Sequence, residues 1–257
     1  MRYKAFAKVN IFLKIVGFRG SYHEILSRFI LVENLFDELY FCKKTSNVEF
    51  ELVGDFGCNL EQNTIFKAYK VLQEEGYEEQ LKDIFSKKAL RVEKNIPSFA
   101  GLGGGSSDAA TFLHMVNSEA RLGLSSSKLA KISQKVGADV TFFVYGFKSA
   151  NVSGIGEIVE KFEEQPLHVE IITPKIKCDT GKIYRTFRED YRIDLELADK
   201  MSKMTSVELL SRYSDLELND LLKPAIKVKK ELDNYRKKGL FFSGSGSSFF
   251  GIGKTDG

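Results

Sequence analysis

Hydrophobic positions alternate along the opening of the chain. From Tyr3 to Val16, β-branched and aromatic residues recur with a period near two, which predicts a strand. Lys8 and Asn10 interrupt it, and because they are two apart they point to one face. The segment from Gly17 to Gly20 punctuates the strand, and Tyr22-His23 follows. Between residues 28 and 54, Ile30, Val32, Val48, Phe50 and Leu52 fall at alternating positions and predict two further strands. The period then lengthens: Ile65, Ala68, Tyr69 and Leu72 share one helical face across residues 63–72. Residues 90–96 alternate again as a strand that Pro97 ends. Ala109, Phe112, Leu113, Val116 and Ala120 form a helical stripe, with Ser106 or Ser107 as the expected N-cap. A second helix is expected over residues 126–136, with Leu129, Ile132 and Val136 inward and Gly137 as its C-terminal cap. Phe142-Phe143-Val144 reads as a strand, as do residues 168–172, whereas 205–238 reads as largely helical and charged.

Two glycine-rich segments break this pattern. The first, residues 97–111, places Gly101, Gly103, Gly104 and Gly105 ahead of Ser106, Ser107 and Asp108 and then a helix-forming run. Glycines let a backbone approach a ligand closely. The helix start supplies unpaired N–H groups and the positive end of the dipole, so the segment reads as a cradle for an anion such as phosphate. It is not a Walker A loop, because no Gly-Lys-Ser/Thr follows at the required spacing. A dinucleotide fingerprint would need an acid some 20 residues on, and Glu119 lies inside the expected helix. Asp108 is read as a capping acid. The second segment, Ser243–Ser248, lies between two apolar pairs and by itself reads as a hairpin turn.

Composition narrows the classes. The 257 residues are 43% hydrophobic and 28% charged, enough for a buried core in one large domain or two ordinary ones. A net charge of +3 argues against nucleic acid as the main partner. Cys42, Cys58 and Cys178 show neither disulfide nor metal spacing. Neither a signal-peptide pattern nor a run of about 20 apolar residues is present, so a soluble cytoplasmic protein without a membrane partner is expected. Nothing in the sequence sets an oligomeric state.

Three segments together resemble the GHMP kinase superfamily: Ala7-Lys-Val-Asn-Ile-Phe-Leu13, the loop 97–110 and the loop 243–248. Tyr22-His23, Asn63-Thr-Ile, Gly137-Ala-Asp-Val140, Gly154-Ile-Gly-Glu157 and Leu218-Asn-Asp220 follow in the order of the branch that acts on a cytidine diphosphate-linked alcohol of isoprenoid precursor synthesis. The resemblance implies a two-domain α+β fold. Residues 1–153 would be a ribosomal protein S5 domain 2-like half carrying the ATP site, and residues 154–257 a ferredoxin-like half. It implies ATP as co-substrate, Mg²⁺ with the nucleotide, Asp139 as the catalytic acid–base group and Lys8 as its charge partner.

By the same resemblance Pro97, Gly101, Gly103, Gly104, Gly105, Ser106 and Ser107 would hold the phosphates, with Asn63 and Lys94 near the adenine. Asn10, Tyr22 and His23 would meet the cytidine end, Tyr184 is the candidate second stacking aromatic, and Gly244 and Gly246 would line the substrate wall. Two alternatives stay open at this level: another GHMP-type kinase, of homoserine or mevalonate type, and a nucleotide-binding protein without turnover. Thr141 stands where the family commonly has proline, and Phe147 where it often has glycine. The chain ends six residues after Gly251, where relatives generally continue, and the completeness of the second domain stays open.

Overall fold

The computed structural model describes residues 1–253. The described residues form two compact units: residues 1–7, 33–98 and 104–146 make the first, and residues 8–32, 99–103 and 147–253 the second. Two long strands, β1 (Tyr3–Arg19) and β2 (Tyr22–Lys43), contribute residues to both.

In the first unit, the far half of β2 pairs antiparallel with β4 (Lys88–Glu93), from Glu38 opposite Glu93 to Lys43 opposite Lys88. The short β3 (Leu52–Val53) adds parallel to β4. Four helices follow the polar–apolar periodicity, α1 (Thr64–Leu72), α2 (Glu78–Phe85), α3 (Gly104–Glu119) and α4 (Ser126–Val136), and a fifth, α5 (Val140–Tyr145), does not. The α1 face read from the sequence is buried, with Ile65, Ala68, Tyr69 and Leu72 each at most 1% exposed. Phe50 organises the core, stacked on Tyr69 at 4.4 Å and edge-on to Phe85 at 4.7 Å and Phe112 at 5.8 Å.

In the second unit, the near half of β2 pairs antiparallel with β5 (Ser149–Gly154), and β5 with β6 (Ile158–Lys161). A second sheet has the order β7 (Val169–Ile172), β9 (Phe249–Ile252), β8 (Phe241–Phe242), all antiparallel. Helices α6 (Thr180–Asp190), α7 (Leu195–Lys203), α8 (Ser206–Arg212), α9 (Asp215–Leu218) and α10 (Leu222–Val228) complete it. Ile15, Ile183, Phe187, Leu222, Phe242 and Phe249 close its core.

Three sequence expectations fail here, each for a local reason. Val48 is 54% exposed and not in a strand. The chain after Lys43 bends where the Glu51 carboxylate accepts from Thr45 N, Ser46 N and Thr45 Oγ1, so the Val48–Leu52 alternation is incidental. Phe142–Val144 is helical: five consecutive α5 residues from Val140 are buried, and burial on every side overrides the β-propensity of aromatic and β-branched residues. Finally, α3 begins at Gly104, so Ser106 and Ser107 lie in its first turn rather than capping it, and Ala120 lies beyond its end.

Candidate active site

The start of the first glycine loop is locked to the second loop within the second unit. Lys8 N donates to Leu102 O at 2.9 Å, and Ser248 N donates to Ala100 O at 3.1 Å. Ser243 Oγ donates to Gly101 O at 3.0 Å and accepts from Asn10 N at 3.3 Å. Gly101 cannot be another residue here, since a Cβ would sit 2.2 Å from Ser243 O and φ is +76°. Gly246 is equally enclosed, with a Phe242 ring carbon 2.3 Å from where its Cβ would be. Asn219 fixes the second loop from below, its Nδ2 donating to Phe242 O and Gly244 O at 3.0 Å each. Asp220 then binds Lys14 and accepts from Ile15 N at 2.8 Å, so the Leu218-Asn-Asp220 motif is a strut for β1 and the loop.

The shared face of Lys8 and Asn10 is real. Lys8 is 3% and Asn10 1% exposed, and Lys8 Nζ donates to Asn10 Oδ1 at 2.7 Å. Asn10 Nδ2 passes on to Ser27 Oγ at 2.9 Å, and the ammonium stands 4.4 Å from the Phe29 ring centre. A lysine buried and held this way has its ammonium group at a fixed point.

In the first unit the loop enters α3, with Gly104, Gly105, Ser106 and Ser107 as the first turn. Their amides are free of intrahelical partners by position and lie at the positive end of the dipole of a sixteen-residue helix, an arrangement that can accept an anion. A Cβ on Gly105 would lie 3.2 Å from Thr64 Oγ1. Asn63, the N-cap of α1, therefore sits beside this turn, its carboxamide accepting from Ile65 N at 2.8 Å. Pro97 is exposed ahead of the loop. Asp139 occupies the N-cap position of α5, two residues after the α4 cap at Gly137.

Lys94 is not a solvent-facing strand lysine, and Asp108 is not a cap. Lys94 Nζ binds Asp37 and, at 2.6 Å, Asp108, and it lies 3.5 Å from where a Gly104 Cβ would be. Asp37 also accepts from Asn95 N at 2.5 Å and Ile96 N at 2.8 Å. Burial drives Lys94 down, but the two carboxylates outweigh it and the ammonium is held above its ordinary range. Asp108 is pushed up to about 7, by burial first and by the Asp37 charge, against the pull of Lys94. Its Oδ1 is buried with no partner. The sequence did carry a signal: Asp37 shares strand parity with the fully buried Leu39, and Asp108 stands directly before the buried Ala109 and Ala110.

The residues matched to the cytidine end gather in the second unit. His23 is 7% exposed and packs against Tyr184 with ring centres 4.9 Å apart, while Tyr22 is 62% exposed. Burial lowers the His23 pKa, the Arg188 charge lowers it further, and a hydrogen bond to the Tyr184 backbone opposes them. Its Nε2 is buried and unpartnered. A buried orphan nitrogen costs stability unless something supplies its partner.

Residues 63–147 match the N-terminal domain of the GHMP kinases. A relative from Sulfurimonas denitrificans, named 4-diphosphocytidyl-2-C-methyl-D-erythritol kinase, is 54% identical over 255 residues, 97% of this chain and 96% of its own. The chain belongs to the 4-diphosphocytidyl-2-C-methyl-D-erythritol kinase family. A Campylobacter jejuni protein of the same name is 44% identical over 97% of this chain and 99% of its own. A crystal structure of 4-(cytidine 5'-diphospho)-2C-methyl-D-erythritol kinase superposes with a TM-score of 0.73 at 28% identity, covering 99% of this chain and 90% of that one. The Methanococcus jannaschii mevalonate kinase, at 14% identity and a TM-score of 0.59, shares the fold. This kinase thus has the two-domain α+β fold of the GHMP group, and it is an ATP-dependent phosphotransferase.

Proposed function

We propose that this kinase transfers the γ-phosphoryl group of ATP to the 2-hydroxyl of 4-diphosphocytidyl-2-C-methyl-D-erythritol, a step of isoprenoid precursor synthesis. The observation that carries the reading is the 54% identity, over nearly the whole chain, to a protein of that name.

Phosphoryl transfer asks a protein for charge neutralisation and an oriented hydroxyl rather than covalent chemistry. The first-turn amides of α3, Gly104 to Ser107, take the phosphates, and the Gly103 amide precedes them in the chain. Asn63 and Lys94 stand beside that turn and serve the adenine end. Asp139 accepts the proton of the attacking hydroxyl as its oxygen bonds to the γ-phosphorus. The bond from that phosphorus to the β,γ-bridging oxygen breaks and ADP leaves with the electron pair. Lys8, fixed on Asn10, stabilises the charge of the transferring group.

At the cytidine end, the neutral His23 ring reads the cytosine edge with its unpartnered Nε2, while Tyr22 and Tyr184 offer faces for stacking. Gly244 and Gly246 hold the second loop in the shape that forms the substrate wall. Among the described residues no cluster of three or more His, Cys, Asp or Glu side chains is placed to hold a metal ion. Mg²⁺ would be carried by the triphosphate, and the Ser107 hydroxyl would be the protein oxygen available to it. When bound it neutralises charge on the β- and γ-phosphates. ATP and a nucleotide-linked alcohol are water-soluble, which fits a cytoplasmic setting, and among the described residues no helix is long and apolar enough to cross a membrane.

A coupled assay of ADP release tests the proposal. The cytidine-linked methylerythritol alcohol should stimulate ATP consumption and gain one phosphate by mass spectrometry, whereas homoserine and mevalonate should not. Stimulation by either of those alcohols and not by the cytidine-linked one would refute it.

A further inference from the structure

Arg188 lies on α6, one turn beyond Tyr184, and nothing in the family motifs calls for it. Its Nη2 donates to Gly20 O and to Tyr22 O, each at 3.1 Å, and its guanidinium stands 4.5 Å from the Phe18 ring centre. Phe18 in turn meets the His23 ring edge-on at 5.2 Å. One cation therefore ties both sides of the turn that delivers Tyr22 and His23. We propose that Arg188 is a positioning residue for base recognition, clamping that turn and favouring cytosine over uracil through the imidazole beside it. This role rests on the reading of His23 given under Proposed function.

The chemistry follows from the ring's two nitrogens. Nε2 has no partner, so the bond to the Tyr184 backbone uses Nδ1 and leaves Nε2 of the neutral ring as an acceptor. Cytosine presents an amino group to such an acceptor, and uracil presents a carbonyl that it repels. A protonated ring would reverse the preference. Burial lowers the His23 pKa and the Arg188 charge adds to it, so removing that charge raises the pKa and enlarges the protonated fraction at mildly acid pH. On the packed elements Phe18, Tyr184 and Phe187 present rings, and nearby Arg19 is already paired with Glu24 and Glu157.

The test compares wild type with Arg188→Gln and Arg188→Lys. The chain has three histidines, so NMR titration of the imidazoles isolates His23 once His114→Gln and His168→Gln assign the others. Arg188→Gln should raise the His23 midpoint, and Arg188→Lys should restore it. The KM for the cytidine-linked substrate should rise about three- to tenfold in Arg188→Gln, as expected for two lost charge-assisted hydrogen bonds in solvent. The KM for ATP should not change, and the preference for CDP over UDP as competing ligands should narrow at pH 6. An unmoved midpoint, or an equal rise in the ATP KM, overturns the proposal. His23→Gln separates the two readings: if it leaves the cytidine-linked KM unchanged, base recognition by His23 fails and this role falls with it.

Discussion

Replacing Asp108 with asparagine should remove a pH dependence of stability without removing the fold. The carboxyl is buried to 1% exposure and shares one lysine with Asp37, so the cluster holds two acids for one base. Its pKa rises from an ordinary 3.8 to about 7. A raised folded-state pKa means that folding favours the protonated acid. That contribution is whole below pH 3.8, shrinks as pH rises through the window, and is gone above about 7. Three units at 1.36 kcal/mol each bound it at about 4 kcal/mol, and sharing with Lys94 brings it to about 2–4 kcal/mol.

The introduced carboxamide does not titrate, and its carbonyl can still accept from Lys94 while Asp37 alone balances the ammonium. Between pH 5 and 8, wild type should therefore lose about 2–3 kcal/mol relative to Asp108→Asn, roughly 1 M in urea midpoint for a chain of this size. Urea unfolding of both proteins at pH 5, 6, 7 and 8 reads the difference. Every other titrating group is common to the two, so only Asp108 separates the curves. Parallel profiles, with a constant gap at all four pH values, would refute the charge accounting and leave Asp108 a packing residue.

Asp139→Asn should cut turnover about a hundredfold or more while nucleotide affinity, read by displacement of a fluorescent ATP analogue, stays near wild type. A matching loss of affinity would make the residue structural. Gly101→Ala should cost about 2–4 kcal/mol in thermal or chemical unfolding, from the contact with Ser243 O and the left-handed backbone. Gly105→Ala faces only Thr64 Oγ1 with no positive φ, so stability should shift by less than about 1 kcal/mol while the ATP KM rises several-fold. An unchanged ATP KM would remove Gly105 from the phosphate site.

Periodicity made the helices at 64–72 and 126–136 legible because each buries one continuous stripe. It misled where burial, not alternation, set the structure. α5 is a six-residue helix buried along five of its positions, and its Phe-Phe-Val core carries strand propensity with no stripe to reveal it. At the site, the residues matched by motif were legible as identities: Lys8 with Asn10, His23 with Tyr184, and Gly101 with the 243–248 loop do meet. What was hidden is pairing across long separations. Asp37 lies 57 residues before Lys94, and no local window connects them. Arg188 was silent for the same reason, since its acceptors are backbone carbonyls 166 and 168 residues away.

The glycines of the first loop divide by what surrounds them, and the division bears on function. Gly101 is glycine because another backbone already occupies the space a side chain would need, and that backbone belongs to the second glycine loop. Gly246 is glycine because Phe242 lies against it. Neither needs a ligand to explain it. Gly105 is different: it is exposed, lies in the first turn of a long helix, and would meet only one flexible hydroxyl. A helix start gains nothing from glycine there, since alanine is the better helix former by up to about 1 kcal/mol. The residue left unexplained by packing is the one that lies where a phosphate would bind.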